Sequence, residues 1–397
     1  MVILQKIAKN KMPENESSMG NRGSKSASNV NSYICVHIRN SNVLEVVKEQ
    51  RADGGYICNR ILRFVLMGFE RNHQINNLSH KINKVRWYTS ITSHKPTVTP
   101  QSIQSPWFLT GFSDAESSFS ILIQANSRYT TGWRIKPIFA IGLHKKDFEL
   151  LKSIQSYLGV GKIHVHGKNS IQYRVDSNKD LQVLINHFDK YPLVTAKLAD
   201  FILFKKAFDI ILLKEHLSQE GLLKLVGIKA SLNLGLSADL KEAFPNWNEL
   251  QIKRPRYTFK GIPDSNWMAG FASGDSSFNI KVSDSNTNVS GQRVQLRFGI
   301  GLNIREEALI QYLASYFGLT GSSKNVYIYK DSVRFEIVNF LDIVNKIIPF
   351  FDKHLIQGKK SLDFICFKEV AGIIQRKDHL TFEGFQKILK IKARMNE

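Results

Sequence analysis

Two stretches of the chain run small and apolar residues directly into an acid: LTGFSDAESSF at 109–119 and MAGFASGDSSF at 268–278. On a helix Gly111 and Ala115 are four apart and share a face, as do Gly270 and Gly274. Small residues at that spacing let two helix backbones approach closely. If the copies pack about a pseudo-twofold axis, the residue after each second small position arrives at one shared end, and those residues are Glu116 and Asp275. Two carboxylates held together without a cation repel and raise at least one pKa, so the pair calls for a divalent metal. Oxygen ligation shared with phosphate and water suits Mg²⁺, with Mn²⁺ as its substitute. The chemistry that sets such ions beside a polyanion is phosphodiester hydrolysis, and two acids related by pseudosymmetry can serve two strands of one duplex. Asp114 is different: Ser273 fills its slot in the other copy, which points to a capping or solvent role.

The elements that position these acids are repeated. At a separation of 159 residues Gly111 pairs with Gly270, Phe112 with Phe271, Ser117-Ser118-Phe119 with Ser276-Ser277-Phe278, and FAIGL at 139 with FGIGL at 298. Later, FDKYPLVTAKLADFILFKKAFDII at 188 matches FDKHLIQGKKSLDFICFKEVAGII at 351, now 163 residues apart, and GSSKNVYIYKDS offers turn-like places for the four added residues. Two homologous halves are therefore expected.

Within each half, the segment from Pro106 to Glu116 fits a helix with Pro in its first turn. The period then falls to two: Phe119, Ile121 and Ile123 alternate with Ser120, Leu122 and Gln124, while Val294, Leu296, Phe298 and Ile300 oppose Arg293, Gln295 and Arg297. These are strands with one wet face. A helix, a hairpin and closing helices follow, so the pattern is αββαββα twice, an α+β fold. The expected divisions are a largely disordered leader at 1–105, rich in Ser, Asn and Gly, a first repeat at 106–220, a connection at 221–264 and a second repeat at 265–397.

Charge narrows the partners. Lys and Arg total 55 against 34 Asp and Glu in 397 residues, a formal charge of +21 spread along the chain, which favours a polyanion and puts nucleic acid ahead of a membrane surface. No run approaches the apolar length of a membrane span. Cys35, Cys58 and Cys366 are an odd number without metal-ligand spacing, so neither a disulfide framework nor a zinc site is indicated. His164 and His166 have ligand spacing on a strand but no evident third ligand, and are read as structural.

The paired motifs, with GLHKKD, YPLVTAK, IKASLNLGLS and NWMAGF, resemble the LAGLIDADG homing endonucleases, in the single-chain branch encoded by fungal mitochondrial introns, over about residues 106–395. The resemblance implies a β-saddle over double-stranded DNA with a long, nearly asymmetric target, a monomeric enzyme, a mitochondrial location, and metal binding by Glu116 and Asp275. It further implies that Lys197 and Lys360 are basic groups near the scissile phosphates, although each precedes an acid by three residues, Asp200 and Asp363, the spacing of an ordinary helix ion pair. Side chains suited to base edges or phosphates on the wet strand faces are Ser120, Gln124, Asn126, Arg134, Lys136, Asn279, Lys281, Arg293, Gln295 and Arg297. The sequence departs from the family at the ninth motif position, Ser117 and Ser276 for Gly, and at Leu302-Asn303, where a Gln-His pair is common. The alternative readings are an intron maturase on the same scaffold, with host intron RNA as partner, and a non-cutting DNA-binding protein.

Overall fold

The structure, a computed structural model, describes residues 102–286, 291–319 and 325–395. The leader expected at 1–105 falls almost wholly outside the described residues, as do Cys35 and Cys58; Cys366 is a buried free thiol.

Helix α1 (Pro106–Glu116) begins on Pro and passes without a loop into β1 (Ser117–Ala125). Then come β2 (Trp133–His144), α2 (Phe148–Leu158), the hairpin β3 (Lys162–Val165) and β4 (Ser170–Val175), and three helices, α3 (Asn178–Lys190), α4 (Lys197–Leu212) and α5 (Gln219–Ser231). Short helices α6 (Ala238–Ala243) and α7 (Trp247–Leu250) and an extended strap precede the second half. That half runs α8 (Ser265–Asp275), β5 (Ser276–Asp284), β6 (Gln292–Asn303), α9 (Glu307–Tyr316), β7 (Val326–Ile328), β8 (Ser332–Ile337), α10 (Phe340–Asp342), α11 (Ile348–Lys353), α12 (Lys360–Gln375) and α13 (Phe382–Arg394). Each half holds one antiparallel four-stranded sheet, ordered β1-β2-β4-β3 and β5-β6-β8-β7.

The period-two pattern decides which sheet face is dry. Phe119 sits opposite Phe139 across β1 and β2, and its ring meets Phe188, Phe201 and Phe204 of the covering helices at 5.4–5.6 Å between centroids. Phe278 repeats this with Phe298, Phe351, Phe364 and Phe367. The two cores interlock at the motif helices: Ala269 of α8 belongs to the first core, and Trp107 and Ala115 of α1 pack on the second.

The structural repeat runs further than αββαββα. Helix α5 lies, but for its first two residues, in the segment expected as the connection, yet it is the counterpart of α13. Ser218 and Thr381 cap the two helices, each accepting from a glycine N–H (Gly221, Gly384) at 3.1 Å, and Lys214 and Lys377 precede them with φ of 60° and 64°. A Cβ at either glycine would lie 2.0 Å from a backbone carbonyl, of Glu215 or Asp378. Helices α5 to α7 then pack Leu222, Leu225, Val226, Leu240 and Phe244 onto Ile121 and Ile123, so residues up to about 250 are fused to the first half.

The four added residues are distributed as well. Val175 and Ile337 occupy matching sites opposite Phe139 and Phe298 but are only 162 apart. The separation returns to 163 between the caps Tyr191 and His354. The extra residue between them is absorbed by a π-helical turn, Ile343–Ile347, where α3 has regular helix.

From Gln251 the strap crosses between halves. Arg254 forms a two-pronged ion pair with the buried Asp200 (2.6 and 2.9 Å), the Tyr257 hydroxyl donates to the Val194 carbonyl, and Phe259 and Ile262 reach the second core. Among the described residues no helix is long and apolar enough to cross a membrane.

Candidate active site

Helices α1 and α8 touch backbone to backbone. A Cβ on Gly111 would fall 1.9 Å from the Trp267 carbonyl oxygen, and one on Gly270 would fall 2.0 Å from that of Phe108. One turn on, Ala115 faces Gly274, so the small positions do meet across the axis. The helices therefore deliver Glu116 and Asp275 to one place: a Cβ on Gly274 would lie 3.2 Å from Glu116 Oε1. Ser117 and Ser276, each donating its hydroxyl at 2.6 Å to the carbonyl four residues back, tie off the helix ends, a task glycine at the ninth position could not perform.

Both acids are partly buried, and neither accepts a hydrogen bond from another described residue. Burial raises the Glu116 pKa, opposed by Lys360 and Lys197. Asp275 is pushed to about 7, first by burial and then by the charge of Glu116, with the same lysines opposing. The lysines reach the acids through the helix ends. Lys197 Nζ donates to the carbonyls of Ser113 (3.1 Å), Ala115 (3.5 Å) and Ser117 (2.5 Å), and Lys360 Nζ donates to that of Gly274. These are the carbonyl ends of helix dipoles, where a cation is favoured. Burial lowers both lysine pKa values, and the neighbouring acids hold them up. The Lys197–Asp200 ion pair allowed by spacing does not form as a salt bridge, because Asp200 is engaged by Arg254.

Asp114 is not solvated and is engaged away from the pair Glu116 and Asp275. Its carboxylate accepts from the backbone N–H of Val194 (2.8 Å) and Thr195 (3.1 Å), the Thr195 hydroxyl (2.6 Å) and the Trp267 indole (2.8 Å). Of the two roles expected, capping or solvent, the structure shows the first: Asp114 is buried and caps the turn before α4 from within the helix pair. Ser273 does the equivalent work in the second half, accepting from the Gln357 N–H at 3.0 Å. Sequence reading missed a further pair of acids, Asp147 and Glu306. Asp147 accepts from the Lys359 N–H at 2.7 Å, and Glu306 from the Ala196 N–H at 3.0 Å.

Ser120, Gln124, Arg134 and Lys136 share the wet face of the first sheet through the pairs Ser120–Ile138, Leu122–Lys136 and Gln124–Arg134. In the second sheet Asn279 pairs with Arg297, Lys281 with Gln295 and Ser283 with Arg293, which puts all five expected residues on one face. Asn126 lies beyond the end of β1, and its side-chain oxygen accepts from the Arg128 N–H at 3.0 Å within the turn. Several of these side chains are already paired: Lys136 with Asp176 at 2.8 Å, and Arg297 with Gln295 at 3.0 Å and Glu336 at 3.6 Å. The register adds residues that sequence reading omitted, Lys162, His164, Gln172 and Arg174 on the first sheet and Arg334 on the second. His164, read as structural, is exposed on this face. Asn303 does what His144 does in the first half, accepting from the N–H two residues on (3.1 and 3.2 Å), so the Leu302-Asn303 departure preserves the local turn.

A family model described as LAGLIDADG endonuclease matches residues 109–208 and 268–371. The probable intron-encoded endonuclease 3 of Neurospora crassa is 36% identical over 398 aligned residues, covering 97% of this chain and 71% of that relative. An uncharacterized 50.9 kDa protein in ND4 intron 1 of Podospora anserina is 41% identical over 195 residues, covering 46% of this chain and 43% of that relative. Among solved structures, the LAGLIDADG meganuclease I-CpaMI bound to uncleaved DNA superposes with a TM-score of 0.73 at 72% identity, covering 74% of this chain and 100% of that one.

Proposed function

The chain belongs to the LAGLIDADG endonuclease family, and from that membership we propose that Glu116 and Asp275 hold the divalent metal with which this homing endonuclease hydrolyses double-stranded DNA. The observation that carries the site assignment is the convergence of two pseudo-symmetric helices on a pair of partly buried carboxylates, flanked by two lysines. The donor set fits Mg²⁺ or Mn²⁺. Among the described residues neither carboxylate is taken up by a hydrogen-bond donor, and no group of three or more His, Cys, Asp or Glu gathers to enclose an ion. An ion that keeps part of its water shell and shares phosphate oxygens suits so open a site. When bound, the metal supplies activation of water and stabilisation of the leaving oxygen.

The chain's own residues do the rest. Lys197 and Lys360, fixed on the carbonyl ends of α1 and α8, keep positive charge beside the acids and favour a phosphate there. The wet sheet faces carry Gln124, Arg134, Asn279, Lys281 and Arg293 toward base edges and phosphates. With both halves in one chain a monomer has a complete site, and two unlike sheets suit a nearly asymmetric target. A relative within an ND4 intron supports a mitochondrial location.

The test is cleavage of a duplex spanning the intron-minus insertion site of its own gene, with Mg²⁺ and with EDTA. Cutting at one position that EDTA abolishes is the expected result; binding without cutting in Mg²⁺ would sink the proposal.

The acid pair also sets a pH dependence. With its folded pKa near 7 and an ordinary unfolded value of 3.8, Asp275 binds a proton more tightly in the folded state. Without metal its contribution to stability is fully present below the unfolded value and is lost as pH rises through about 7. Since the cation competes with that proton, Mg²⁺ is expected to raise the Tm at about pH 8 and to have little effect at about pH 5. Thermal unfolding with and without Mg²⁺ reads this directly; equal shifts at both pH values would argue against metal binding at Asp275.

A further inference from the structure

We propose that Glu306 and Asp147 are positioning residues that act in trans, each fixing the lysine-bearing helix of the opposite half and so setting the rate at which that lysine's strand is cut. The inference rests on the endonuclease reading above. Glu306 lies just before α9 in the second half, yet both its oxygens accept from the Ala196 N–H, at 3.0 and 3.3 Å, immediately before Lys197 in the first. Asp147 lies just before α2 in the first half and accepts from the Lys359 N–H at 2.7 Å, immediately before Lys360 in the second. The acids are 159 residues apart, the separation of the two motifs, so the crossing follows the pseudo-twofold axis.

Each lysine-bearing turn is thus held from two sides. Its own half grips it through the residue two before the metal acid: Asp114 on Val194 and Thr195, Ser273 on Gln357. The other half grips the N–H just before the lysine, Glu306 that of Ala196 and Asp147 that of Lys359. The contacts are close: Gly358 packs so near Asp147 that a Cβ there would lie 2.7 Å from Oδ1. An N–H donating to a carboxylate is a strong, directional contact at the start of a helix. Losing it frees the first turn of α4 or α12, whose first residue is the lysine. Because Lys197 Nζ must reach three carbonyls at the end of α1, a small drift of that turn moves the cation from its place.

The experiment measures separate cleavage rates for the two strands of an end-labelled intron-minus duplex in Mg²⁺. It compares wild type with Glu306→Ala, Glu306→Gln, Asp147→Ala, Lys197→Met and Lys360→Met. Misplacement of a catalytic group predicts that Glu306→Ala slows one strand about tenfold more than the other, and that Lys197→Met slows the same strand. Asp147→Ala and Lys360→Met should share the opposite strand. Glu306→Gln, whose amide oxygen still accepts from Ala196, should recover most of the loss; a residue serving only global stability would shift both strands together. Equal slowing of both strands by the acid variants, lysine variants that bias neither strand, or pairing of Glu306→Ala with Lys360→Met would each overturn the proposal. A wild-type enzyme that leaves the duplex intact would instead overturn the endonuclease reading on which it rests.

Discussion

Glu116→Gln and Asp275→Asn are each expected to reduce double-strand cleavage by about a thousandfold or more while the protein still binds its DNA. Each change keeps the shape of the side chain and removes one negative charge. Under the proposed assignment the site then loses one of the two carboxylate charges that compensate a divalent ion. Binding should hold or tighten, because a carboxylate beside phosphate has been neutralised. Stability should hold or rise for the same reason: burial and the charge of Glu116 together push Asp275 to about 7, and either amide relieves the repulsion. Cleavage, mobility-shift and thermal-unfolding measurements on the same preparations distinguish lost chemistry from lost folding. Undiminished double-strand cutting by either variant would remove that acid from the site.

Gly270→Ala and Gly111→Ala should each destabilise the protein by about 3 kcal/mol and inactivate what remains folded. Ordinarily Gly to Ala within a helix is stabilising by up to about 1 kcal/mol, so the predicted sign is reversed. The obstacle is backbone: the new methyl of Gly270→Ala would overlap the Phe108 carbonyl oxygen at 2.0 Å and crowd the Phe112 nitrogen at 2.9 Å. No side-chain rotation relieves that contact, so α1 and α8 must move apart. Because the two cores interlock at these helices, separation loosens both, and it also draws Glu116 away from Asp275. Gly142→Ala serves as the control, since a Cβ there meets nothing within 4 Å. Chemical denaturation of the three variants measures the difference; Gly270→Ala as stable as wild type would mean that the helices are not packed this closely.

Much of the architecture was legible because its signals are local and repeated. The i, i+4 small residues, the switch to period two after each acid, and the recurrence of the whole block mark two helices, two sheets and one shared end. The repeat was also legible beyond where it was drawn. QEGLLKLVGIKAS at 219 and FEGFQKILKIKAR at 382 share Glu, Gly, Lys and a closing Ile-Lys-Ala at matching positions, yet α5 looked like part of a connection because another connection follows it. The π turn left no trace, because one extra helical residue keeps the apolar character of its surroundings.

The sequence by itself determined the pairing of Glu116 with Asp275, since residue size and spacing dictate how closely two helices can pack and which residues emerge at their ends. Only the tertiary structure decided where the other charges go. Spacing permitted a Lys197–Asp200 pair; the strap, arriving from 54 residues away, brought Arg254 to Asp200 and left Lys197 to the helix carbonyls. For Asp114 a capping and a solvent role were both open in the sequence, and Trp267 with the Val194–Thr195 turn decided for capping by closing over it. Asp147 and Glu306 carried no signal in the sequence, because their partners lie 212 and 110 residues away in the opposite half. Periodicity records which face of an element is buried, whereas a hydrogen bond between halves depends on the docking of two finished surfaces.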